Sequence, residues 1–137
     1  MYSTIMIPVD LRHADQLEKA IATAADIAKL YGAQPHIVGV GQSLPTAVAR
    51  TPAEYADKLA AYADKCSAAN GIDFTAHVKT SHDPSIDLDV ILQKAGNEIG
   101  ADLIVMASHV PKFAEHIFAS NAGYLASHSS SSIFVVR

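Results

Sequence analysis

"DLIVMASHVPKFAEHIFASNA", residues 102–122, opens on an unbroken apolar run, leaves it through a polar loop and turns toward a helix. A run such as "DLIVMA", without alternation, suits a strand covered on both faces, the setting of a parallel sheet flanked by helices. The helix is expected from about Ile117 to His128, and "SIFVVR" at the end of the chain reads as a further strand.

The same order repeats toward the N-terminus. "TIMIPV" (4–9) is the first strand, with Asp10 at its turn. From Asp15 onward, Leu17, Ile21, Ala24, Ala28 and Tyr31 recur at steps of three and four, the stripe of a sheet-covering helix that Gly32 can end. "PHIVGV" (35–40) is the second strand; its Gly39 answers either a close approach of backbone or ligand, or a plain packing need. Thr51, Pro52 and Glu54 form a capping box with proline at the first helical position, and Tyr55, Leu59, Tyr62 and Cys66 then point inward until Asn70 and Gly71. "DFTAHVKT" (73–80) alternates as a half-buried or edge strand does. In the segment 81–101 a third helix follows, with Ile86, Val90, Ile91, Lys94 and Ile99 at helical spacing and Gly100 at its end. The alternation predicts a single three-layer α/β domain over 1–137, a five-stranded parallel sheet of order 3-2-1-4-5 with four helices.

Composition narrows the function. Half of the 137 residues are hydrophobic and 18% are charged, enough apolar surface for a core. A net charge of -4 with dispersed Lys and Arg argues against nucleic acid, whose phosphates are met by clustered cations. The start of the chain has no signal-peptide pattern and no stretch is long and apolar enough to cross a membrane, so membrane insertion is not expected. One cysteine, Cys66, builds neither an intramolecular disulfide nor a thiolate metal site, and a cytoplasmic location is the expectation. Its place on the inward stripe of the second helix fits an inert core thiol.

In an open parallel sheet of this order, ligands sit at the carboxyl ends of the strands where the order reverses, here between strands one and four. "PVDLR" and "MASHVPK" are the loops there, and a helix start nearby offers free amides to an anion. The segments "IMIPVD", "ADLIVMASH", "SNA", His128 and "IFVVR" resemble the universal stress protein family over essentially the whole chain. "ASH", a following proline, "SNA" at its spacing and "SLP" at 43–45 resemble the bacterial F and G type.

The resemblance implies stress-response signalling by binding, with ATP or AMP as ligand and a homodimer paired through the last strand. Adenine would lie against Pro8, Val9 and Asp10 and against Val38 and Val40. Ribose and phosphates would meet Met106, Ala107, Ser108, His109, Ser120 and Asn121. Nucleotide-binding members carry three glycines in this region, where the present chain has Ala107, Val110 and Ala119; the F and G type keeps the third of them. If that position needs a left-handed backbone, Ala119 costs roughly 1–2 kcal/mol; if not, its methyl group can crowd a phosphate. The alternative is a homodimeric interaction module with a degenerate pocket, for which "VPKFAEHIFA" (110–119), with Phe113 and Phe118, is the relevant stretch.

Catalysis finds less support, at most slow ATP hydrolysis. His109 has no positioned nucleophile or second carboxylate beside it in sequence, and no lysine-bearing glycine loop is present. Lys112 meets phosphates or simply solvates its loop. Seven histidines show no zinc-hydrolase spacing and read as surface residues, His77 and His82 straddling a turn.

Overall fold

The computed structural model describes residues 1–108 and 117–137, and of residues 117–120 the backbone alone. Strands β1 (Thr4–Val9), β2 (Gln34–Gln42), β3 (Thr75–Ser81), β4 (Leu103–Ala107) and β5 (Ser132–Val136) form one sheet ordered β3-β2-β1-β4-β5. All four neighbouring pairs are parallel. The connections carry α1 (Glu18–Tyr31), α2 (Pro52–Asn70), α3 (Pro84–Ile99) and α4 (Ile117–His128).

Two cores follow from the alternation of side chains across the sheet. Ile5, Ile7 and Val9 of β1 join Ile37, Leu103 and Val105 under α1 and α2. Met6, Val38, Ile104 and Met106 face α3 and α4, where Leu92, Ala95 and Leu125 meet them. Helix ends match the punctuation of the sequence. Gly32, Gly71 and Gly100 all sit at C-caps with φ of 65–69°, a conformation costly for any residue with a Cβ. Thr51 accepts from the Glu54 amide at 3.1 Å, but the Glu54 carboxylate reaches back to Arg50 N, one residue short of a full capping box.

Two expectations need correction. The stripe Ile86, Val90 and Lys94 does not face the sheet: Ile86 is 77% and Val90 52% exposed, while Leu92, Ala95 and Gly96 are buried with Leu88 and Ile99 against them. Both stripes have helical spacing, and the inner one wins because small residues at 95 and 96 let α3 settle on Met6 and Ile104, 3.6–3.8 Å from where a Cβ on Gly96 would lie. A 3-10 helix at Leu11–Gln16, absent from the sequence reading, precedes α1. Asp10 starts it, its side chain accepting from Arg12 N and its carbonyl from His13 N.

At the amino ends of the strands, Asp102 ties β1 to β4 by accepting from Ser3 N, Ser3 Oγ and Thr4 N at 2.8–3.0 Å. Burial alone would raise its pKa, but these bonds outweigh it and hold the carboxyl below the ordinary value. A depressed folded-state pKa contributes stability above the unfolded value, about 3.9, that is lost as pH falls through the folded one. Asp102→Asn is therefore expected to cost on the order of 1 kcal/mol at pH 7 in urea unfolding and to narrow its gap to the unaltered chain below about pH 3.

Candidate functional site

Pairing of β1 with β2 runs to Val9↔Gly39, whereas pairing with β4 ends at Met6↔Ile104. Pro8, which has no N–H to offer a neighbour, stands just past that point. Beside the end of β1, β2 and the starts of α2 and α3 enclose a cleft of about 250 Å³. Its apolar wall is Val9, Val38, Val40, Leu88 and Leu92; Gln42, Thr46, Asp83 and Ser85 supply polar groups.

Asp10 and Arg12 form one edge of the cleft. Arg12 grips the carboxylate with both Nε, at 3.1 and 3.2 Å, and Nη2, at 2.8 Å, while its backbone N donates at 3.0 Å. The Asp10 side chain is left 15% exposed, that of Arg12 52%. Burial pushes the Asp10 pKa up, but the hydrogen bonds and charge of Arg12 prevail and hold it below the usual carboxylate value. The pair thus presents a guanidinium, more than a carboxylate, to the cleft.

The Tyr55 ring explains both glycines of β2 that face α2. A Cβ on Gly39 would lie 2.7 Å from the Tyr55 hydroxyl and 2.8 Å from Leu59 Cδ1; one on Gly41 would lie 3.0 Å from the ring itself. The packing reading of Gly39 is the correct one. Burial, with the Asp10 charge, pushes the Tyr55 phenol up to about 12, so it stays a neutral donor. Gly39→Val is expected to destabilise the protein by about 1–3 kcal/mol and to drive Tyr55 from the cleft wall, readable as a lower urea midpoint at unchanged slope.

Of the residues nominated from sequence, Pro8, Val9, Asp10, Val38 and Val40 line this cleft together. Met106 is buried in the core facing α3 and α4. Ala107 ends β4, and the Ser108 amide already donates to Val136 O at 2.6 Å. Asn121 is buried within α4, Ser120 lies one position before it in the same helix, and His109 falls outside the described residues, as do Val110, Lys112 and Phe113. Residue 119 has a helical backbone, and no described non-glycine residue has positive φ, so Ala119 carries no left-handed cost. Arg12, Tyr55, Thr46, Asp83, Ser85 and Leu88 were missed. Their signal was topological: in a parallel sheet the loops after strands two and three open at the same end as those after one and four.

The described residues thus make an open α/β protein with a half-apolar, half-polar cleft beside its central strand. A profile of the Universal stress protein family matches residues 1–137, and the chain belongs to that family. Universal stress protein G of Salmonella typhimurium is 26% identical over 148 residues, covering 100% of both chains. Among solved structures, a universal stress protein in complex with cAMP superposes with a TM-score of 0.70 at 19% identity over 99% of this chain and 97% of that one. One from Archaeoglobus fulgidus in complex with dAMP gives 0.68 at 20% identity, covering 99% and 98%.

Proposed function

We infer that this chain is a cytoplasmic universal stress protein that binds an adenine nucleotide, ATP or AMP, and signals by binding. The observation that carries the reading is the cleft itself, apolar on one wall and polar at its rim beside Pro8, Val9, Asp10, Val38 and Val40. Its 250 Å³ falls a little under the roughly 300–1,000 Å³ of ligand pockets, a size suited to a base whose sugar and phosphates lie outside. In this reading the base fills the cleft, and the ribose and phosphates extend past Met106, Ala107 and Ser108 toward His109, Ser120 and Asn121. The nucleotide complexes of two neighbours of the same fold support it. Calorimetric titration with ATP and AMP at near-millimolar concentration is expected to give saturable heat. A flat trace with folded protein rejects the reading.

A homodimeric interaction module without nucleotide is the second reading. The Asp10 carboxylate is engaged by Arg12 and the Ser108 amide by β5, so two nominated ligand contacts are met within the protein. Dimerisation through β5 belongs to both readings and is supported by Phe134 and Val135, 46% and 42% exposed on that edge strand. Titration separates them: heat with AMP favours the first, a dimer without heat the second.

A further inference from the structure

His36 and His77 are 41 residues apart in the chain and side by side in the sheet. The register of β2 with β3 sets Val38 against His77 and His36 against Thr75, so the two histidines are diagonal neighbours on one face. Their rings converge. His36 Nδ1 lies 2.8 Å from His77 Nε2, with centroids 5.0 Å apart and planes 37° from parallel. Neither residue lines the cleft described above.

We propose that His36 and His77 form a two-imidazole clip for a divalent transition metal of the nitrogen-preferring class, Cu²⁺ ahead of Zn²⁺. Metal–imidazole bonds of about 2.0–2.1 Å, at tetrahedral or square angles, place two ligand nitrogens about 2.8–3.4 Å apart. The rings therefore turn so that both lone pairs converge, and part by at most a few tenths of an ångström, to admit the cation; both side chains are only partly buried. At 2.8 Å the two facing nitrogens share one proton. On binding, that proton moves to the outer nitrogen of the ring that carried it. Each imidazole stays neutral, both lone pairs reach the metal, and no net proton is released.

The surroundings favour neutral rings. Burial lowers the pKa of both, aided at His36 by His77 and at His77 by the charge of Lys79. Lys79, further along β3, has its own ammonium paired with Glu98 of α3, which offsets its repulsion of a cation. Among the described residues no third His, Cys, Asp or Glu completes a closed site. Water fills the remaining positions, so the site is open and exchangeable, unlike a four-ligand structural zinc centre. Two imidazoles and water exclude the oxygen-seeking Mg²⁺ and Ca²⁺ and, on the divalent affinity series, put Cu²⁺ first.

Untagged full-length chain is titrated with CuCl₂ and with ZnCl₂ by calorimetry, and the Cu²⁺ form is recorded by electron paramagnetic resonance. One Cu²⁺ site with two nitrogen donors is expected, weakened roughly tenfold or more by His36→Gln or His77→Gln, and weakened further by the double substitution, which removes the remaining nitrogen donor. His82→Gln, which removes an exposed ring whose Nδ1 meets Ser43 Oγ at 3.2 Å, is expected to leave the affinity unchanged. Equal Cu²⁺ binding by the unaltered and doubly substituted chains overturns the proposal. A second measurement needs no substitution: substoichiometric Cu²⁺ is expected to broaden the amide resonances around residues 36 and 77, and broadening confined elsewhere overturns it.

Discussion

A chain carrying Phe134→Glu together with Val135→Glu is expected to run as a monomer in light scattering at micromolar concentration, where the dimer proposed above would run at twice the 14.5 kDa of one chain. β5 is an outer strand of the sheet, paired with β4 from Leu103↔Ser132 to Ala107↔Val136. Phe134 and Val135 lie on opposite faces of that strand and are both over 40% exposed, so a partner strand laid against the edge would cover one from each side. A two-fold axis repeats each substitution, bringing four carboxylates to one seam, where like charges across a strand pair are destabilising and apolar burial has gone. Either substituted residue is partly exposed in the single chain, so folding is expected to survive, with helical circular dichroism retained. A doubly substituted chain that still runs as a dimer, or an unaltered chain that runs as a monomer, removes β5 as the interface.

The parallel sheet could be read from the sequence because its strands are short, continuous and punctuated. "DLIVMA" admits burial on two faces, and glycines 32, 71 and 100 mark helix ends that the backbone confirms with left-handed φ. The side that α3 turns inward could not be read that way, since Ile86, Val90 and Ile91 make as good a stripe as Leu88, Leu92 and Ala95. The choice belongs to Met6 and Ile104, which lie far away in the chain. The site divides on the same line. Local sequence indicated the β1 and β2 ends of the cleft, while the grip of Arg12 on Asp10, the use of the Ser108 amide by β5 and the meeting of His36 with His77 are tertiary or rotameric facts that no spacing encodes. Gly39 is the instructive intermediate: its spacing signalled crowding, and only the position of Tyr55 told which atoms crowd it.

Replacing Asp10 by alanine is expected to lower the affinity for adenosine and AMP by about tenfold or more, and replacing Arg12 by alanine to raise it up to about fivefold. A carboxylate accepting from a ribose hydroxyl or a base amine makes a charge-assisted bond worth about 1.5–3 kcal/mol, one power of ten or two in affinity. In the unliganded chain that carboxylate accepts from the Arg12 backbone and from two guanidinium nitrogens, so a ligand must first displace the side chain. Because the Arg12 side chain is 52% exposed, solvent screening limits the pair to about 0–1 kcal/mol, which bounds the gain on its removal at about fivefold. Salt acts in the same direction, weakening the grip and narrowing the gap between the two chains. Asp10→Ala also removes the cap of the 3-10 helix, a stability cost of about 1 kcal/mol, so Asp10→Asn, which keeps a capping oxygen, is the cleaner binding variant. With asparagine at position 10, Arg12→Ala should bring no gain, since no carboxylate is left to release; a gain that persists there means that Arg12 acts on the ligand directly. If Arg12→Ala instead weakens AMP while leaving adenosine unchanged, the guanidinium is a phosphate contact and the cleft holds its ligand in the opposite orientation, phosphates toward β1.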